Sequence, residues 1–406
     1  LAALFSIGFK YIFNKNYKTI KYLTVSMDPV LQTYLDGGDI ADAIRARVRI
    51  CDDLLYKRLN LGKKLGEGTY GKVYLLKQDS KPNSLTGVVD DTIELVVKQV
   101  KLEVDIECGK NSTGWWCNDG IIIEWIIGIY LSNEYIKGIE LSDLSTQRCI
   151  HFTRMFDISK CDERLDLDTG FALEDSYYIT MERLDTDLKT LLKKQSLDLK
   201  YIDSIIFQMI YTIAYYQEVV ELQMSHNDLK LDNIFISIIK DSTVYGGKRL
   251  MDVKKFAYSI DNQLYAIDAC PAICKLGDLG ISTLWNDKPL GDEYIMEGRF
   301  GESFPLKLIK VYDLLYFITR LDDLIPNINI IYDIIVWITG DEDPRMYLYE
   351  QGEDFENRPK PDDIDTPFFE NKTALNLLKS DIFKDYRIES SDASLILNDS
   401  AIMGVL

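Results

Sequence analysis

A chain of 406 residues with 47% hydrophobic composition is long enough to bury one large core or two smaller ones. Its formal net charge of −19 argues against a general binder of nucleic-acid backbones, which needs clustered Lys and Arg to displace counterions, so nucleic acid is not expected as a partner and basic protein surfaces are favoured instead. Seven cysteines, an odd number spread along the chain, do not form the pattern of a disulfide framework and point to an intracellular, reducing compartment, cytoplasm or nucleus. Cys270 and Cys274 are spaced as two metal ligands could be, yet with only two histidines, His151 and His226, and no second cysteine pair, a zinc site lacks its other ligands.

The chain opens with LAALFSIGFKYIF, a stretch too short and too charged to span a bilayer. A targeting segment, an interfacial amphipathic helix and translated sequence upstream of a start at Met27 all remain open, the last being favoured, so residues 1–57 form an N-terminal extension of which 1–26 need not be native. From Leu59, LNLGKKLGEGTYGKVYLLK alternates around a glycine cluster, and ELVVKQV at 94–100 is a β-branched run, so strands are expected on both sides of a glycine turn. DGIIIEWIIGIYLS at 119–132 is apolar on most faces with one embedded carboxylate, Glu124, and predicts a helix packed against other structure. SYYITMERL at 176–184 reads as a buried strand, DTDLKTLLKK at 185–194 as the start of a helix, and YIDSIIFQMIYTIAYYQEVVEL at 201–222 as a core helix. Residues 238–274 interrupt this order, and within them KKFAYSI and QLYAIDA, joined by Asp261 and Asn262, predict a β-hairpin. The segment 341–365, rich in Asp, Glu and Pro, is expected to be a solvated loop.

The chemistry concentrates in short stretches. Gly66, Gly68 and Gly71 would let backbone amides approach phosphates, and Val73 would cover a purine ring; strand pattern on both sides argues against a dinucleotide fold, which needs a helix directly after its glycines. Lys98 ends the apolar pair Val96-Val97, where an ammonium is costly unless it meets a counter-charge. Glu124 is the expected partner, with Glu134 and Glu107 as alternatives. The strongest stretch is His226-Asn227-Asp228-Leu229-Lys230-Leu231-Asp232-Asn233, between an apolar helix and a short β-run. Its Asp228 can accept a hydroxyl proton, Lys230 can neutralise phosphate charge and Asn233 can offer a hard oxygen to Mg²⁺. Downstream, Lys275-Leu276-Gly277-Asp278-Leu279-Gly280 places a second metal-ligating candidate, Asp278, after an apolar strand.

Glycine loop, strand lysine, HxDLKxxN loop and D-x-G motif, in that order over roughly 58–333, resemble the eukaryotic protein kinase family. The resemblance implies an α+β, two-lobed protein-kinase-like fold: a small, mainly antiparallel β lobe with one helix (58–184), a larger, mainly helical lobe (185–390), and a tail (391–406). It implies ATP and Mg²⁺ as cofactors and a protein substrate. Met181 would be the gatekeeper, Glu182 to Leu184 the adenine-pairing hinge, Asp187 a ribose contact, Phe235 the floor of the adenine pocket, and Asp313 the buried anchor of the catalytic loop. Lys230 is similar to the serine/threonine branch, and the HND start, the inserted hairpin and the short segment after Asp278 look most like kinases of large DNA viruses, which would place the protein in an infected cell or virion.

Departures from the pattern matter as much. Asn227 stands where the family usually has arginine, so the pocket for a phosphorylated activation loop is expected to be missing. Leu279 replaces a phenylalanine, and no Ala-Pro-Glu follows, with Phe304-Pro305 as the candidate substitute. A catalytically silent scaffold of the same fold, a small-molecule or lipid kinase, and a pure interaction module are the competing expectations; the last explains none of the ordered motifs.

Overall fold

The computed structural model describes residues 49–50, 61–68, 71–76, 94–101, 108–110, 115–117, 120–140, 148–161, 164–166, 171–173, 176–194, 196–219, 223–245, 248–260, 263–284, 290–292, 306–340, 343–348, 369, 371–388 and 400–405. Over these residues the protein is a mixed α+β structure with mainly antiparallel sheets and several helices. Residues 1–48, Glu107, Phe304-Pro305 and most of 341–365, on which expectations were placed, lie outside the described residues.

The glycine cluster forms the hairpin β1 (Leu61–Gly68) and β2 (Gly71–Leu76), and β3 (Leu95–Lys101) lies antiparallel to β2 with Val73 opposite Lys98. Helix α1 spans Gly120–Glu140, longer than the apolar run alone predicts. Strands β4 (Met155–Cys161) and β5 (Ser176–Glu182) complete a six-stranded sheet ordered Arg49–Ile50, β4, β5, β3, β2, β1. Ile121, Ile122, Ile123, Trp125, Ile126 and Ile127 of α1 are all buried, so the helix has no solvated face along this stretch. It sits close to the sheet: a Cβ on Gly128 would stand 2.1 Å from Met155 Sδ. Ser132 Oγ both donates to the Gly128 carbonyl (2.6 Å) and accepts from the Met155 N–H (2.8 Å), fixing α1 on β4.

Beyond β5, Asp187 caps α2 (Leu188–Lys193) by accepting from the Thr190 N–H at 2.7 Å. Helix α3 (Ile202–Ala214) is buried on nearly every turn and runs on as a π-helical turn, Tyr215–Val219. Strand β6 (Ile234–Ile238) follows the HNDLK stretch. The hairpin expected at 254–269 is present as β7 (Lys255–Ile260) and β8 (Gln263–Asp268), antiparallel in register from Lys255 opposite Asp268 to Ile260 opposite Gln263. β9 (Ala272–Leu276) returns antiparallel to β6 and leads into Asp278. The buried Gln208 of α3 holds β9 by its backbone: its Oε1 accepts from the Cys274 N–H at 2.9 Å and its Nε2 donates to the Ala272 carbonyl at 3.3 Å. After Asp278 come the short strands β10 (Thr283–Leu284) and β11 (Leu290–Asp292), then helices α4 (Leu306–Leu324) and α5 (Asn329–Thr339).

The inserted hairpin is not an appendage. With the tail strand β12 (Ser400–Val405), Arg387–Ile388 and Arg148–Cys149 it makes a five-stranded sheet, β12 running parallel to β7. His151 welds this sheet to the core. Its Nδ1 faces the Cys274 carbonyl at 2.8 Å, which can only accept, so Nδ1 carries the proton and Nε2 accepts from the Tyr258 hydroxyl at 3.1 Å. Burial pushes the His151 pKa down to about 4, keeping the ring neutral.

Cys161, at the end of β4, is disulfide-bonded, against the expectation drawn from the odd cysteine count. Cys149, Cys270 and Cys274 are free and buried, and burial raises their thiol pKa values, so none is a ready nucleophile or metal ligand. No helix among the described residues is long and apolar enough to cross a membrane.

Candidate active site

Strand β3 delivers Lys98 directly after the buried run Leu95-Val96-Val97, and α1 delivers Glu124 from a buried face. The Lys98 ammonium donates to Glu124 Oε2 at 2.6 Å and to Asp278 Oδ1 at 2.9 Å. Glu124 is thus the partner that the embedded carboxylate suggested. Burial alone would lower the Lys98 pKa, but the two carboxylates outweigh it and hold the ammonium charged above its usual range. Burial raises Glu124, whereas for Asp278 the Lys98 charge overcomes burial and lowers it.

Asp278 reaches this cluster because β9 ends at Leu276 beside Ile234, the first residue of β6. The Gly277 N–H donates to the Asn233 carbonyl at 3.2 Å, so Asn233 and Asp278 emerge at the same end of paired strands. Gly277 is required there: a Cβ would stand 2.7 Å from Phe235 Cε2 and 2.9 Å from Thr153 Oγ1. Phe235 is half-buried against this backbone.

The loop 226–233 is held from beneath. Asp313 of α4, fully buried, accepts from the backbone N–H groups of His226 (2.7 Å) and Asn227 (2.8 Å) and from the Tyr216 hydroxyl (2.8 Å). Burial raises its pKa against the pull of these donors. His226 bridges the loop to the Asp278 strand: its Nε2 donates to the Gly277 carbonyl at 3.0 Å, which leaves Nδ1 to accept the Asp228 N–H at 3.3 Å. Sequence reasoning gave His226 no role beyond the motif, and Tyr216 and Gln208 none at all; buried polar side chains on an apolar helix were the available signal.

Asp228 is turned into an oriented carboxylate. Its Oδ2 accepts from Lys230 Nζ at 2.6 Å and from Asn233 Nδ2 at 3.0 Å, while among the described residues Oδ1 has no hydrogen bond and stays available for an incoming proton. Burial works to lower the Lys230 pKa, but the bond to Asp228 outweighs it and the ammonium is favoured. Asn233 Nδ2 donates to the Asp228 carboxylate and to the Asp228 carbonyl (2.9 Å), and among the described residues its Oδ1 has no hydrogen bond and can meet a cation. Asn233 Oδ1 and the second oxygen of Asp278 are hard donors, and a pair of such oxygens suits Mg²⁺, which completes its shell with water and phosphate oxygens.

Above this floor the glycine hairpin pairs Gly66 with Val73 and Gly68 with Gly71. Gly71 has φ +151° and a Cβ there would be 2.2 Å from the Gln99 carbonyl oxygen, so only glycine lets β2 approach β3 at that point. At Gly66 a Cβ would meet nothing within 4 Å among the described residues, so the backbone there borders open space.

At the end of β5, Met181 is half-buried and packs on the main core. The N–H groups of Glu182, Arg183 and Asp185 donate to the carbonyls of Arg154, Glu94 and Ile236, whereas among the described residues the Leu184 N–H has no backbone partner. Glu182 shows a feature that no local pattern revealed. Its Oε1 accepts from Lys275 Nζ at 2.6 Å and from the Arg154 N–H at 2.8 Å, an ion pair only 7% and 11% exposed that ties the end of β5 to β9. Asp187 is engaged as the α2 cap through Oδ1.

No protein-family model matches this chain, and no curated protein sequence matches it.

Proposed function

We propose that this chain is a protein-kinase-like phosphotransferase that moves the γ-phosphoryl group of Mg·ATP to serine or threonine hydroxyls of a protein. The observation that carries this reading is the Lys98 ammonium, 2.6 Å from Glu124 and 2.9 Å from Asp278, at the strand end that also presents Asn233 beside the Asp228 carboxylate. Cation, oriented base and two hard oxygens from three separate chain segments are the parts phosphoryl transfer needs, since that reaction is catalysed mainly by positioning and charge stabilisation.

On this reading the six-stranded sheet with α1 is the small lobe and residues 185–390 the larger, mainly helical one. The space at Gly66 suits phosphates beneath the hairpin, and the Leu184 N–H, which has no backbone partner among the described residues, suits the edge of an adenine, with Met181, Val73 and Phe235 as apolar neighbours. Mg²⁺ would be held by Asn233 and Asp278 and would neutralise phosphate charge. Lys98, oriented by Glu124, binds phosphate oxygens, Asp228 Oδ1 orients the substrate hydroxyl and takes its proton, and Lys230 balances charge at the transferred group.

The test is transfer of labelled γ-phosphate from Mg·ATP to acidic and basic carrier proteins, comparing the parent with Asp228→Asn and identifying the labelled amino acid. Label on serine or threonine that drops by about 10²-fold or more in the variant, at unchanged melting temperature, is the expected result. A well-folded, ATP-binding parent that transfers nothing would instead favour the scaffold.

A further inference from the structure

Asn227 occupies the left-handed region, φ 67°, where asparagine is among the few non-glycine residues at ease. It is buried and pinned from both sides: its N–H donates to Asp313 Oδ1 at 2.8 Å, and its side-chain Nδ2 donates to the Ile281 carbonyl at 2.7 Å and to Thr283 Oγ1 at 3.0 Å. Those acceptors lie on the segment that follows Asp278. The same segment is held again by Ser282 Oγ donating to the His226 carbonyl at 3.4 Å and by β10 pairing antiparallel with Met224–Ser225. The bonds that reach the segment itself, from the Asn227 amide to Ile281 and Thr283 and from Ser282 to His226, all join neutral groups.

A second fastening comes from the other direction. β11 pairs with β10 at Leu290 and lies parallel to Trp115–Cys117, whose chain enters α1 at Gly120. β11 also packs on α1, the helix that carries Glu124. The seat of the segment after Asp278 is therefore joined both to the Asp228 loop and to the helix that orients Lys98.

We infer that Asn227 is a positioning residue which, with the β11 pairing on Trp115–Cys117, seats the segment after Asp278 by neutral hydrogen bonds in place of a phosphate held by an arginine; its effect on turnover rests on the phosphotransferase reading. A bond between a neutral amide and a carbonyl needs no modification to form and is not screened by salt, so the segment is seated as synthesised.

The experiment is hydrogen exchange at residues 279–284 in the parent, Asn227→Gly and Thr283→Val, with kinetics on a carrier protein before and after phosphatase treatment of the enzyme. Glycine keeps φ 67° accessible and removes only the amide, which separates backbone strain from the hydrogen bonds. Exchange in Asn227→Gly is expected to rise about tenfold, the order of one buried hydrogen bond, and kcat to fall by a similar factor with KM for ATP unchanged within about twofold. Thr283→Val, which removes one acceptor, should show a smaller rise, and phosphatase should leave the parent's activity intact. Unchanged exchange in both variants, or loss of parent activity after phosphatase, overturns the inference. A parent that transfers no phosphate but shows the exchange difference counts against the phosphotransferase reading while supporting the seating by Asn227.

Discussion

The Lys98 ammonium meets the Glu124 carboxylate at 2.6 Å across 26 residues of sequence, and both groups are almost wholly enclosed. Such a pair is weak evidence for stability, because desolvation offsets most of the attraction; its value lies in fixing where the cation points. Lys98→Met should lower phosphoryl transfer by about 10²-fold or more. It also leaves the buried Glu124 and the half-buried Asp278 beside each other without their cation, so the Glu124 carboxyl above all should titrate above its unfolded value. Stability that depends on a raised carboxyl pKa is present at low pH and lost as pH rises, so the variant's deficit should grow between pH 4 and 7. Urea melts of parent and variant at both ends of that window check it; a deficit independent of pH would contradict the coupling.

Asp313 holds the 226–233 loop by its backbone, accepting from the His226 and Asn227 N–H groups, and also accepts from the Tyr216 hydroxyl. Asp313→Ala abandons these donors in a site closed to water, at a cost of about 3 kcal/mol. Asp313→Asn should be less severe but still destabilising, since its amide turns a donor toward donors. The urea midpoint should fall at constant slope in both, and kcat with it. Parent-like melting of Asp313→Ala would remove the anchor role.

What was legible in the sequence lay in contiguous residues: the glycine hairpin, Lys98 at the end of an apolar run with Glu124 in an apolar helix as its partner, and the 226–233 and 275–280 stretches as the loops that meet them. The hairpin 255–268 was legible too, because its alternation and its turn lie within one short window. The sheet around it was not, since Lys255 opposite Ser400 is a pairing over most of the second half of the chain, and two-residue strands such as Arg387–Ile388 are too short to show periodicity. The partner of Glu182 was hidden for the same reason. Lys275 and Glu182 meet only once β9 and β5 are in place, and neither residue alone looks different from a solvated charge.

That buried pair gives a second energetic test. Lys275→Met leaves the Glu182 carboxylate nearly enclosed with the Arg154 N–H as its remaining partner here, which should cost about 3 kcal/mol, whereas Lys275→Met with Glu182→Gln should recover much of it. A double-mutant cycle on urea stability is expected to give a coupling of about 1–3 kcal/mol. Because Glu182 and Leu184 also line the proposed adenine edge, ATP affinity should weaken in the single variants and return in the double one. Additive stability effects would show that the two charges do not act on each other.

His151 makes the stability of the fold depend on pH. Burial holds its pKa at about 4 rather than its ordinary 6.5, with the Cys274 carbonyl bond opposing that shift and the Lys275 charge adding to it. A histidine whose folded pKa is depressed contributes stability that is complete above pH 6.5 and is lost as pH falls through 4, in total about 3 kcal/mol for a shift of this size. His151→Asn keeps a donor for the Cys274 carbonyl and does not titrate there, so its stability should fall less between pH 6.5 and 4. The acidic groups raised by burial, Glu124 and Asp313, act in the opposite sense but equally in both proteins, so the difference between the two curves isolates His151. Parallel urea-stability curves across that window would mean that His151 is already protonated in the folded protein, and that the bonds to Cys274 and Tyr258 do not hold it neutral.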